Sequence, residues 1–111
     1  MKDDRLYLIH IRECIQRIAE YAAGGEDEFM HSTLVQDAVL RNLHTLSEST
    51  QRLSDSLKEQ HAEIDWRRIS GFRNVVVHDY LGIDIPRVWQ IMAIELPALS
   101  RAVEVMFCEA E

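Results

Sequence analysis

The sequence predicts an all-α fold, an up-down bundle of four to five helices in one domain spanning residues 1–111. Two patterns carry this expectation. Apolar residues recur at spacings of three and four along most of the chain. The breaks between those stretches hold the glycines, polar caps and prolines that begin and end helices. Size agrees: 111 residues, 47% hydrophobic and 28% charged, are enough for one ordinary globular core.

Residues 3–23 read as the first helix. Leu8, Ile11, Ile15, Ile18 and Ala22 form one stripe. Asp3 and Asp4 suit its N-terminal dipole, and Gly24-Gly25 ends it. Tyr21 is assigned to packing, and His10 to a solvated or core position rather than to catalysis. Residues 24–32 read as a polar linker, with Phe29 plugging the end of the bundle.

Residues 33–58 read as a second long helix, with Thr33 and Gln36 in a capping-box pattern. Val39, Leu43, Leu46, Thr50, Leu53 and Leu57 repeat at four and three, a seam suited to antiparallel packing on the first helix. Arg41 and Glu48 share a face. They either lean toward a site or form a surface salt-bridge system.

Residues 59–65 connect to a third helix, for which Asp65 is a good N-cap. Trp66, Ile69, Phe72 and Val76 run along it, with Trp66 as a packing anchor. Gly71 inside this pattern costs about 1 kcal/mol relative to alanine. It leaves room for the backbone of a partner copy. After a turn at 81–83, Asp84 caps the last helix, with Pro86 in its first turn. Val88, Ile91, Met92, Leu99, Val103 and Met106 form its apolar face, and Pro97 is expected to kink or split it.

Charge and composition exclude several classes. The net charge of −7 is the wrong sign for gripping nucleic acid by charge alone. Any RNA contact must rest on a local basic patch and a short single-stranded footprint. Arg67, Arg68 and Arg73 fall within seven residues and, with His78 and Arg87, make the one obvious basic cluster. Cys14 and Cys108 form neither a CxxC pair nor a disulfide framework. They are expected in or near the core, in a reduced cytoplasmic setting. No apolar run approaches the roughly 20 residues of a membrane span, and no targeting segment is apparent. The five histidines show no paired ligand spacing, and there is no nucleotide-binding glycine loop. No metal and no cofactor are therefore expected.

The chemistry concentrates in Gly71-Phe72-Arg73-Asn74-Val75-Val76-Val77-His78-Asp79-Tyr80. On a helix, Asn74 and His78 share one face. Arg73 and His78 are about 140° and roughly 7.5 Å apart, which lets both reach one phosphodiester beside the helix. Arginine supplies a permanent planar cation matched to phosphate. Histidine moves protons near neutrality. Asn74 orients the imidazole, binds a phosphate oxygen or lies on the helix surface. Asp79 either acts on a nearby histidine or ends the helix.

Arg73-x4-His78-x-Tyr80 resembles the signature of HEPN domains, in the form carried by HepT toxins of HepT/MntA toxin–antitoxin pairs. Asp37-Ala38-Val39-Leu40-Arg41-Asn42-Leu43, Trp66, Ile83-Asp84, Val88-Trp89 and Leu96-Pro97 also resemble family segments. One departure is Leu46-Ser47-Glu48-Ser49, where the family commonly has glycine in place of Ser47. The resemblance implies a HEPN-like homodimer acting as a metal-independent endoribonuclease, the toxin of a type VII-like module, with Arg73 and His78 catalytic. It also implies a nucleotidyltransferase antitoxin, MntA-like, that transfers AMP to Tyr80 and joins the toxin in a dimer or larger hetero-oligomer. The other function left open is a non-catalytic helical partner that regulates a nucleotidyltransferase.

Overall fold

The computed structural model describes residues 2–72 and 84–110, with side chains from 3–72 and 84–109. The described residues form an all-α bundle of three long and three short helices. They are α1 (Lys2–Tyr21), α2 (Glu26–His31), α3 (Thr33–Gln51), α4 (Asp55–Gln60), α5 (Trp66–Ser70) and α6 (Ile85–Ala110).

The core lies where α1, α3 and α6 meet. Leu8, Ile11 and Ile18 of α1 are buried, as are Val39, Leu43, Leu46 and Thr50 of α3. The two stripes meet as their spacing predicts, and α1 and α3 share the most extensive helix packing in the bundle. The pair is antiparallel: Asp4, in the first turn of α1, binds Ser54, just beyond the end of α3. The third wall comes from Val88, Leu99, Val103 and Met106 of α6, all buried. Fully burying one such side chain contributes about 1.5–3 kcal/mol. At one end Phe29 is fully buried and packs against Trp89, with ring centroids 5.3 Å apart. It plugs the bundle as expected.

Several boundaries differ from the sequence expectation. The 24–32 linker contains α2. Glu26, Asp27 and Glu28 occupy its first turn, where carboxylates favour the helix dipole, and Phe29 turns inward from it. Gly25 precedes this helix at φ 93°, a left-handed conformation that strains other residues. The cap of α3 is Ser32 rather than Thr33; its hydroxyl accepts from the Val35 N–H at 3.2 Å. Gln36 closes no capping box, because its amide instead donates to the Phe29 carbonyl at 2.8 Å.

The expected 33–58 helix breaks after Gln51. Ser54 adopts an extended conformation and caps α4. The break is fixed by Asp4, whose carboxylate accepts from the Ser54 N–H at 2.7 Å and from its hydroxyl at 2.6 Å. Leu53 stays buried across the break and Leu57 packs against the core, so the apolar seam outlasts the helix.

Asp65 and Asp84 cap as predicted. Their carboxylates accept from the N–H groups of Arg68, at 3.0 Å, and Arg87, at 3.2 Å. The last helix is not split at Pro97: α6 runs unbroken from Ile85 to Ala110. Proline removes the donor for the Ala93 carbonyl, but Ala93 and Pro97 are both exposed, so water can replace it.

Cys14 is buried, and that burial pushes its thiol above the usual range. Cys108 is exposed, contrary to expectation, because it falls on the outer face of α6. Tyr21 is exposed too, as the last residue of α1. Among the described residues, no helix is long and apolar enough to cross a membrane.

Replacing Asp4 with alanine removes two charge-assisted hydrogen bonds and strands the Ser54 N–H. The expected cost is about 1.5–3 kcal/mol by urea denaturation. Asp3→Ala, at an exposed neighbour, is expected to change stability by less than about 0.5 kcal/mol.

Candidate functional site

The stretch with the richest chemistry follows α5 in sequence. Arg73, Asn74, His78, Asp79 and Tyr80 lie outside the described residues. What the structure places is the framework on either side: α5 with Gly71 and Phe72 before the motif, and Asp84 with α6 after it.

The start of α5 is held at three points. The Asp65 carboxylate caps it. The Trp66 indole N–H lies 3.2 Å from the Lys58 carbonyl and 3.1 Å from that of His61, tying α5 back to the end of α4. Ile69 and Phe72 are buried and turn this segment's inner face into the core. Trp66 is therefore a packing anchor, as expected, and its polar atom is satisfied.

Gly71 closes α5 at φ −68° and ψ −15°, an ordinary helical conformation. A Cβ placed there would approach the Arg68 carbonyl at 3.2 Å and the Arg67 carbonyl at 3.4 Å, so the nearest atoms belong to its own preceding turn.

Of the two arginines expected to contact RNA, both are exposed on α5. Arg68 places its Nε 2.8 Å from Glu95 of α6, a carboxylate 19% exposed. That pair fastens α5 to α6 and offsets part of the local positive charge. Arg67 points to solvent beside it. Arg87 is exposed in the first turn of α6, eight residues from Glu95, or roughly 12 Å along the axis. Among the described residues of the cluster read from the sequence, Arg67 and Arg68 therefore lie on α5 and Arg87 on α6; Arg73 and His78 lie outside the described residues.

Arg41 and Glu48 both lie on α3. Glu48 is 3.0 Å from the His44 ring, one turn away on α3, and Arg41 is exposed. Ser47 is fully buried, and its hydroxyl donates to the His44 carbonyl at 2.8 Å. Folding back this way, serine fits where the family commonly has glycine. His10 is exposed, with its ring edge-on to Tyr7.

One polar residue had no signal in the sequence. His61 is 6% exposed, with Nδ1 3.3 Å from Glu63 and Nε2 2.8 Å from Glu109. It joins the α4–α5 connection to the last turn of α6. Its principal partner is 48 residues away, so no local spacing could reveal it. Among the described residues, no three or more of His, Cys, Asp and Glu are grouped to hold a metal ion.

Comparison with known proteins places the chain among ribonuclease-like relatives. A family model described as ribonuclease HepT-like matches residues 11–106. A Thermococcus cleftensis protein named as a probable ribonuclease HepT is 30% identical over 95 residues, 85% of this chain and 86% of that one. A Caldanaerobacter subterraneus protein, named as a candidate RNase, is 29% identical over 94% of both chains. A Methanocaldococcus jannaschii protein named gamma-glutamylcyclotransferase and candidate RNase is 31% identical over 92% of this chain. The chain spans 46% of that longer protein. No solved structure matches the chain. With a family match over residues 11–106, and an all-α bundle to go with it, the chain belongs to the ribonuclease HepT-like family.

Proposed function

We propose that this chain is a metal-independent endoribonuclease, the toxin of a type VII-like toxin–antitoxin module, that cleaves tRNA or mRNA as a homodimer. The observation that carries the reading is the position of Arg73-x4-His78-x-Tyr80 inside the span matched to the ribonuclease HepT-like family. The helical framework supports it. Capping by Asp65, anchoring by Trp66 and the Arg68–Glu95 pair hold α5 at the point where the chain enters the motif.

RNA brings its own nucleophile. His78 acts as base, taking the proton of the 2′-hydroxyl as that oxygen attacks the adjacent phosphorus. The phosphorane carries extra negative charge, which Arg73 stabilises. The bond from phosphorus to the 5′-oxygen breaks, and a second imidazole, from the partner copy, protonates the leaving oxygen. The products are a 2′,3′-cyclic phosphate and a 5′-hydroxyl. Asn74 and Asp79 support the imidazole, and Arg67 and Arg68 meet flanking phosphates.

Silencing uses Tyr80. An MntA-like nucleotidyltransferase antitoxin directs the phenolic oxygen onto the α-phosphorus of ATP, releasing pyrophosphate and leaving AMP on the tyrosine. The attached phosphate puts bulk and negative charge where the RNA phosphate must sit. The cytoplasm, where RNA and ATP are both present, suits this exchange.

Purified protein is expected to cleave cellular RNA in EDTA. His78→Ala and Arg73→Ala, verified as folded, are expected to lower the rate by about 10²-fold or more. Cleavage by the variants at the wild-type rate would overturn the assignment. Complete AMP transfer to Tyr80, followed by intact mass, is expected to abolish cleavage, and Tyr80→Phe is expected to escape that silencing. Full activity of the modified chain would exclude it as the control.

A further inference from the structure

The seam between α1 and α6 closes at one end and stays open at the other. On α1 it runs through Arg5, Leu8, Arg12, Ile15, Ala19 and Ala22, at spacings of three and four. At its start Arg5 and Arg12 cover the Phe107 ring of α6. At its end the side chains shrink to alanine, and α6 meets them with Ala93 and Pro97. Neither helix carries enough bulk there to close the gap. What remains is a groove of about 250 Å³, lined by aliphatic and aromatic side chains, with Trp89 at one end. From Ile15 to Ala22 it is roughly 10 Å long, about two helical turns.

Two features say what kind of surface fits it. The first is charge. Trp89 packs on Phe29 of α2, so that end of the groove abuts α2. Glu26, Asp27 and Glu28 of α2 are exposed, as is Glu20 of α1, next to Ala19. Among the described residues none of these carboxylates is in an ion pair. Farther from α2 the charges on α1 are balanced, Arg17 by Glu13 and Arg12 by Glu104. The second feature is a backbone oxygen. Pro97 has no N–H to give the Ala93 carbonyl, four residues earlier, and both residues line the groove.

We infer that the groove is a docking site for an amphipathic helix of a different protein, with apolar side chains at i, i+4 and i+7 seated between α1 and α6 and lysine or arginine at the end that meets α2. Anchors at that spacing span the two turns that the groove offers. The basic end answers the exposed carboxylates and brings a donor for the Ala93 carbonyl. The chain's own net charge of −7 selects a basic partner over another acidic one. The inference stands apart from the nuclease reading, because none of these residues belongs to the motif.

The test uses the full-length chain and a fluorescently labelled helical peptide of about four turns. It carries leucine at i, i+4 and i+7 and lysine throughout its last turn, and a companion peptide has glutamate in place of lysine. Binding is read by fluorescence anisotropy, with circular dichroism as a check on folding. The lysine peptide is expected to bind saturably, and the glutamate peptide at least about tenfold more weakly. Ala93→Glu, at an exposed position, blocks the groove while adding a carboxylate that would tighten binding by charge alone. It is expected to weaken the lysine peptide at least about tenfold. Glu20→Lys combined with Glu26→Lys, both exposed, is expected to do the same from the charged end. Failure of the lysine peptide to bind, equal binding of the two peptides, or binding that Ala93→Glu leaves unchanged would each overturn the inference. So would a wild-type chain that self-associates and that Ala93→Glu converts to folded monomers, since a second copy would then own the groove.

Discussion

The antiparallel seam between α1 and α3 is the constraint on which the other elements depend. Leu8, Ile11 and Ile18 lock against Val39, Leu43 and Leu46, and every one of these side chains is buried. Once that pair forms, α6 has one apolar groove to fill. It does so antiparallel to α1, with Arg12 reaching Glu104 at 3.3 Å and Arg5 and Arg12 covering the Phe107 ring. Asp4 then pins the far end of the seam through Ser54, which starts α4 and sends the chain toward α5.

From that seam a chain of described contacts leads to α5, the segment that precedes the motif in sequence. Asp4 holds Ser54; Ser54 caps α4; Trp66 hangs from the carbonyls at the end of α4; Arg68 closes onto α6. His61, between Glu63 and Glu109, ties the same connection to the end of α6. These contacts are mostly polar and lie at the edge of the core. They set where α5 begins and how it meets α6, while the apolar seam supplies the stability.

How much of this was legible follows from which interactions are local. The long helices were legible because their apolar residues repeat at the helical period: Leu8 to Ile18 on α1, Val39 to Leu53 on α3, Val88 to Met106 on α6. Asp65 and Asp84 were legible as caps because each acts on an N–H three residues ahead. The six-residue α2 and α4 were not, since six residues are too few to show a period. The break at Ser54 and the burial of His61 depend on partners 50 and 48 residues away. Pro97 does not split α6, because its effect depends on whether Ala93 faces water. The candidate site is proposed from residue types in order, arginine, histidine and tyrosine, because the proposed chemistry requires those side chains; they lie outside the described residues. Its supports were half legible: Trp66 announced itself, whereas the pairing of Arg68 with Glu95 joins separate helices and left no pattern.

The most direct test of the central claim, acid–base cleavage at Arg73 and His78 with the RNA supplying its own nucleophile, is end-group analysis of RNA cut by the purified chain in EDTA. The expected ends are a 2′,3′-cyclic phosphate, or the 2′- or 3′-phosphate from its opening, and a 5′-hydroxyl. RNA with a 2′-O-methyl group at the cleavage position should remain intact. A 3′-hydroxyl with a 5′-phosphate would contradict the claim, because those ends require water as the attacking group.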